Sequence, residues 1–138
     1  MSRSPTSRAV AGGLVMMAAL LLLAAAAQSA FGAVRGRTSQ HLKISFTINQ
    51  HALRRLDFRV DDRCPSGRVW RVHDFNFPPI RITRSKFDAR FRSLDGRASA
   101  EVKGRVFDHR VTGTLRDRTL IAQEGDYCNG TASFTIRR

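Results

Sequence analysis

The chain has 138 residues, with 24 Lys or Arg against 11 Asp or Glu, a formal charge of +13. A chain this short holds one modest core, and its two cysteines lack the C-x-x-C spacing of a zinc site, which makes a cysteine-ligated metal the weaker reading. Charge of this sign draws the molecule to anionic polymers and surfaces through a screened, largely non-specific force. Of the basic residues 21 are Arg and three are Lys, a skew that, with the Ala-rich N-terminus, looks like the codon bias of a high-GC genome.

Arg3 and Arg8 precede an uncharged run, AVAGGLVMMAALLLLAAAA, and small residues follow in QSAFGA. This is the n-region, h-region and small-residue pattern of a secretory signal. It predicts a signal helix within 1–33, cleaved between about 27 and 33. The run is also long enough to span a bilayer, so an uncleaved anchor is the competing reading. Its many Ala and Gly residues make it weakly apolar for that purpose. Loss of Arg3 and Arg8 with the leader brings the charge from +13 to +11. Residues 34–41, rich in Gly, Arg and Ser, read as a flexible lead-in to a single β domain over 42–138.

From there the apolar period becomes two, the mark of half-buried strands. Leu42, Ile44, Phe46 and Ile48 alternate with Lys43, Ser45 and Thr47. Leu56, Phe58 and Val60 alternate with Arg55, Asp57 and Arg59, and DDRCPSG closes that run as a turn. In VWRVHDFNFPPIRIT, Pro78 and Pro79 mark an edge, a kink or a switch, because they donate no ladder hydrogen bond. KFDARFR places Phe87, Ala89 and Phe91 inward. ASAEVKGRVF offers Ala98, Ala100, Val102, Gly104 and Val106 to one face. DHR turns, VTGTLR sets Val111, Gly113 and Leu115 inward, TLIAQ is a short apolar run, and TASFTIRR places Ala132, Phe134 and Ile136 inward. About seven to eight strands with short connections predict an all-β fold, an antiparallel β-sandwich or small barrel.

Cys64 and Cys128 both fall in turn-like segments, 64 positions apart. Outside the cytoplasm, an isolated pair of cysteines is most simply a disulfide. A catalytic thiol would leave the other cysteine unexplained.

The succession KFDARF, VKGRVF, VTGTLR and CNGTASFTIRR resembles a group of small exported β proteins of high-GC Gram-positive bacteria. They share a glycine in each of two neighbouring strands, a G-T-L-R strand and a final C-x-G-x-x-x-F-x-x-R strand. The resemblance spans roughly 42–138. It implies the single disulfide and the β fold, and it carries over no catalytic residue.

Candidate sites are few. His73-Asp74 and Asp108-His109 bring metal-ligand or acid–base residue types, but both pairs lie near predicted strand ends, where polar residues are ordinary. No G-x-S-x-G elbow and no Gly-rich phosphate loop occurs. Asn129-Gly130-Thr131 matches a glycosylation sequon and reads as a turn. Arg55, Arg59, Arg90, Arg92, Lys103, Arg105 and Arg116 all fall on polar strand positions. If their strands neighbour one another they form a basic stripe suited to phosphate, sulfate or carboxylate. The alternative is a solvated face, with Asp57, Asp88, Glu101 and Asp117 as cross-strand partners. Nucleic-acid recognition would want aromatics among the charges, and here the phenylalanines point inward. The expectation is a monomeric, cofactor-free, secreted or envelope-associated binding module for anionic envelope polymer or acidic lipid. A small secreted hydrolase or metal-dependent enzyme, and a small-ligand carrier barrel, are the alternatives.

Overall fold

The computed structural model describes residues 32–138. The expected signal helix lies outside the described residues, apart from Gly32 and Ala33. None of the described residues forms a helix long and apolar enough to cross a membrane. Nine strands follow in order: β1 (Gly32–Arg37), β2 (Lys43–Ile48), β3 (Ala52–Arg63), β4 (Val69–Asp74), β5 (Ile80–Arg81), β6 (Lys86–Arg92), β7 (Ala98–Val106), β8 (Arg110–Ile121) and β9 (Asp126–Arg137). All pair antiparallel in one hydrogen-bonded sheet of order β1-β2-β3-β9-β8-β7-β6, with β4 and β5 also on β3.

The stretch expected as a flexible lead-in is instead ordered. Residues Gly32 to Arg37 pair one for one with Ile48 to Lys43, and Val34 is buried. Thr38 then bridges to Phe134 on β9. Gly36 is what permits this, because a Cβ there would come within 2.9 Å of the Ile136 side chain. The second unanticipated strand, β5, is only the residue pair after Pro78 and Pro79.

β3 is the hub. Its first half pairs with β2 and its second with β4. The register slips opposite Ser45 to Thr47, where Arg54 and Arg55 are both exposed and Arg55 has φ 52°. This bulge restores the alternation, so Leu53, Leu56, Phe58 and Val60 all turn inward. They meet Ile44, Ile48, Val102, Val111 and Leu115 in one cluster. Aromatic contacts run through it: Phe46 to Phe134 at 6.2 Å, Phe58 to Phe77 at 5.6 Å, and Phe77 to Phe91 at 4.7 Å.

The paired glycines of VKGRV and VTGTL have a physical reason. Gly104 and Gly113 are direct cross-strand partners. The Phe87 ring lies over Gly104 and the Phe134 ring over Gly113, each from the next strand, as aromatic side chains cover glycines in sheets. A Cβ at Gly113 would lie 2.5 Å from Phe134 Cζ and 2.6 Å from the Lys103 carbonyl oxygen. Gly113→Ala is therefore expected to cost about 1–3 kcal/mol through overpacking. Gly32→Ala, whose Cβ meets nothing nearer than 3.8 Å, is expected to be close to neutral. Urea unfolding of the two variants checks the contrast.

Cys64 and Cys128 form a disulfide, joining the residue after β3 to β9. Only one register pair, Arg63 with Asn129, connects β3 to β9, so the disulfide staples the sheet where its ladder is thinnest. Beside it, Glu124 accepts hydrogen bonds from Ser66 Oγ at 2.7 Å and Trp70 Nε1 at 2.9 Å. The Ser66 bond, with that of Trp70, holds the Glu124 carboxyl below the usual carboxylate range.

Candidate anion-binding face

The alternation that turns Phe87, Val102, Leu115 and Phe134 inward turns the charges of β6 to β9 outward. Register stacks them in cross-strand rows. The first row is Lys86–Arg105–Thr112–Thr135, the second Asp88–Lys103–Thr114–Ser133. The third is Arg90–Glu101–Arg116–Thr131 and the fourth Arg92–Ser99–Arg118–Asn129. Arg110 and Arg137 pair beyond the first row. The face thus carries nine cationic side chains and two carboxylates, Asp88 and Glu101, with small hydroxyl and amide residues between.

The two carboxylates are already engaged. Glu101 accepts from Lys103 at 2.7 Å and from Arg90 at 3.1 Å, and Asp88 lies 3.9 Å from Lys103. The Lys103 hydrogen bond, then the charges of Lys103, Arg90 and Arg116, hold Glu101 below the usual carboxylate range. Arg118 lies over the Tyr127 ring at 3.9 Å. Arg92, Arg105 and Arg116 make no ion pair among the described residues.

The third and fourth rows form the floor and walls of an open groove of about 430 Å³. Arg90, Arg92, Arg116 and Arg118 ring it, with Ser99, Asn129 and Thr131 between them. Guanidinium forks flanked by hydroxyl and amide groups suit the oxygens of phosphate, sulfate or carboxylate groups.

Of the sequence candidates, Arg90, Arg92, Lys103, Arg105 and Arg116 are brought together here. Arg55 and Arg59 are not. Arg55 stands at the β3 bulge, and Arg59 lines a separate groove with Arg35, Arg37 and Lys43. Sequence reading missed Lys86, Arg110, Arg118 and Arg137, although β8 and β9 parity assigns three of them. It also placed Asp117 among the solvent-facing partners, whereas Asp117 is 3% exposed and shares the inner face with Leu115. Thr119 Oγ1 donates to its Oδ2 at 2.8 Å.

The histidine pairs do not converge. His73 contacts Asp57 at 3.0 Å, and His109 sits in the turn closed by Phe107 N–H donating to the Arg110 carbonyl. Among the described residues no group of three His, Cys, Asp or Glu side chains is arranged to hold a metal ion. Comparison of the chain with protein-family models, with curated proteins and with solved structures finds no match.

Proposed function

We propose that this chain is an exported, non-catalytic binding module whose β6–β9 outer face takes an anionic polymer of the cell envelope or an acidic lipid surface. One observation carries the reading: four successive cross-strand rows and the Arg110–Arg137 pair beyond them place nine cations against two engaged carboxylates on one face. The rows repeat along the strands, which suits a ligand with repeated charges better than a single small anion. The proposal includes a sandwich-like packing of the β6–β9 arm on the β1–β4 arm. The contacts of Phe46 with Phe134 and of Phe77 with Phe91 support it and favour a filled interior over a carrier's hollow. The protein acts as a monomer and needs no cofactor. Export is supported by the leader-like N-terminus and by the disulfide. N-terminal sequencing of secreted protein should begin between residues 28 and 34; an intact Met1 on membrane-bound protein would mean an anchor.

The binding test compares two double charge reversals that change net charge equally. Arg90→Glu with Arg92→Glu is expected to weaken binding to inorganic polyphosphate about tenfold or more, the equivalent of about 1.4 kcal/mol. Arg55→Glu with Arg59→Glu, on the other arm, should weaken it far less. Both should bind less as salt rises, since the Debye length is about 8 Å at physiological ionic strength. Equal losses from the two pairs would reduce the interaction to bulk charge and end the assignment to this face.

A further inference from the structure

We propose that Asp62, Asp74 and Asp117 form a proton-bridged latch. Carboxyls from β3, the end of β4, and β8 meet inside the fold, joined by shared protons and parted when those protons leave. The cluster is unexpected in so basic a chain. Asp62 is 0% exposed and neither of its oxygens has an N–H or O–H donor. Asp117 Oδ1 and Asp74 Oδ2 are buried without donors as well. Asp62 reaches Asp117 across Gly130, which pairs with Asp117 and whose added Cβ would meet Asp62 Oδ1, and Asp74 lines one groove with Asp117. A carboxylate cannot donate to a carboxylate, so a hydrogen bond between any two of these carboxyls needs a proton of its own.

Among the described residues no cation forms an ion pair with them instead. On β3, Asp61 adds like charge and is itself held by Arg71, with Nε at 2.9 Å, while Arg63 is exposed on the opposite face. On β4, His73 is turned to Asp57. On β8, Arg116 and Arg118 flank Asp117 and line one groove with it, but both are exposed and neither pairs with it. From β9 come Cys128 and Gly130, without charge, and a Cβ at Gly130 would run into Asp62 Oδ1. β7 presents Ala100, with Glu101 facing outward to its partners. From β6, Arg90 and Arg92 stand on the rim of a groove of about 400 Å³ that Asp74 and Asp117 line, and neither pairs with them. An ionised Asp62, fully buried and without a donor beside two further carboxyls, would be an unpaired buried charge, which is the situation that protonation relieves. The electrostatics of the site point the same way. Burial first, then Asp117, pushes Asp62 up to about 9 from 3.8, and burial with the Asp117 charge pushes Asp74 up to about 8.

The latch goes beyond the anion-binding reading, and its test needs no anion. The purified protein should take up protons when refolded in weakly buffered solution at pH 7. Its Tm should fall by about 10 °C or more between pH 5 and pH 8. Asp62→Asn supplies a permanent amide donor toward Asp117 in place of the proton, so it should flatten that pH dependence and exceed the wild type in Tm at pH 9. A wild-type Tm that is flat or rising from pH 5 to pH 8, with no proton uptake on refolding, would overturn the latch. So would a saturable rise in Tm with millimolar calcium chloride at pH 8 that Asp62→Asn abolishes, because the cluster would then be a cation site. If Asp62→Asn fails to fold, the wild-type proton count and Tm profile decide alone.

Discussion

Between pH 5 and pH 8 the protein is expected to lose stability, the reverse of ordinary acid denaturation. The folded-state values of Asp62 and Asp74, about 9 and about 8, lie above the unfolded value of 3.8. A group raised on folding contributes stability that is full below its unfolded pKa and is lost as pH rises toward its folded pKa. The window therefore runs from about pH 4 to about pH 9. Within it each retained proton is worth about 1.4 kcal/mol per pH unit, so one proton accounts for about 4 kcal/mol over three units. The opposing carboxyls act elsewhere. Glu101, Glu124 and Asp95 are held below their ordinary values of 4.5, 4.5 and 3.8. Their contribution is present at pH 5 and is lost only at lower pH. Urea midpoints should accordingly be highest near pH 5 and fall steadily to pH 8. Midpoints that rise across that interval would show that Asp62 and Asp74 do not keep their protons in the fold.

The second large effect is expected from the disulfide. Cys64 and Cys128 close a loop of 64 residues, which the chain-entropy account values at about 4 kcal/mol. Domains of this size have about 5–15 kcal/mol in total. The bond also spans the place where β3 and β9 share one register pair, so its loss lets the weakest part of the ladder open. Cys64→Ala with Cys128→Ala should lower stability by about 4 kcal/mol in urea unfolding. Both sulfurs belong to buried residues, Cys64 at 4% and Cys128 at 0% exposure. Reductant should therefore act on the native protein only as fast as it opens. Rapid reduction without unfolding would contradict this picture of the seam.

Much of this architecture was legible as parity. The period of two identified Phe58, Phe87, Phe91 and Phe134 as inward residues, and short connections implied antiparallel neighbours. That was enough to gather Arg90, Lys103 and Arg116 on one face. The pairing of β3 with β9 was not legible, because strands distant in sequence carry no local signal for it. Arg59 was consequently grouped with a face it does not share. β1 escaped notice because GAVRGR has one sizeable apolar residue and two glycines, the composition of a linker, although Gly36 is small so that Ile136 can lie against it. The aspartate cluster was hidden differently. Parity continues Leu56, Phe58 and Val60 inward to Asp62, and Val111, Gly113 and Leu115 inward to Asp117. The charge of the residue argued against the position its neighbours dictate, and the position won. Such a conflict between local chemistry and pattern is where function or strain is expected.

The central claim is that one face of the sheet, and not the whole basic surface, binds a polyanion. Backbone amide shifts of isotope-labelled protein titrated with inorganic polyphosphate test it most directly. Perturbations should concentrate at Arg90, Arg92, Ser99, Arg116, Arg118 and Asn129 and weaken together as salt is raised. Perturbations spread evenly over both arms, with Arg35, Arg37 and Arg59 shifting as far as Arg116 and Arg118, would contradict it.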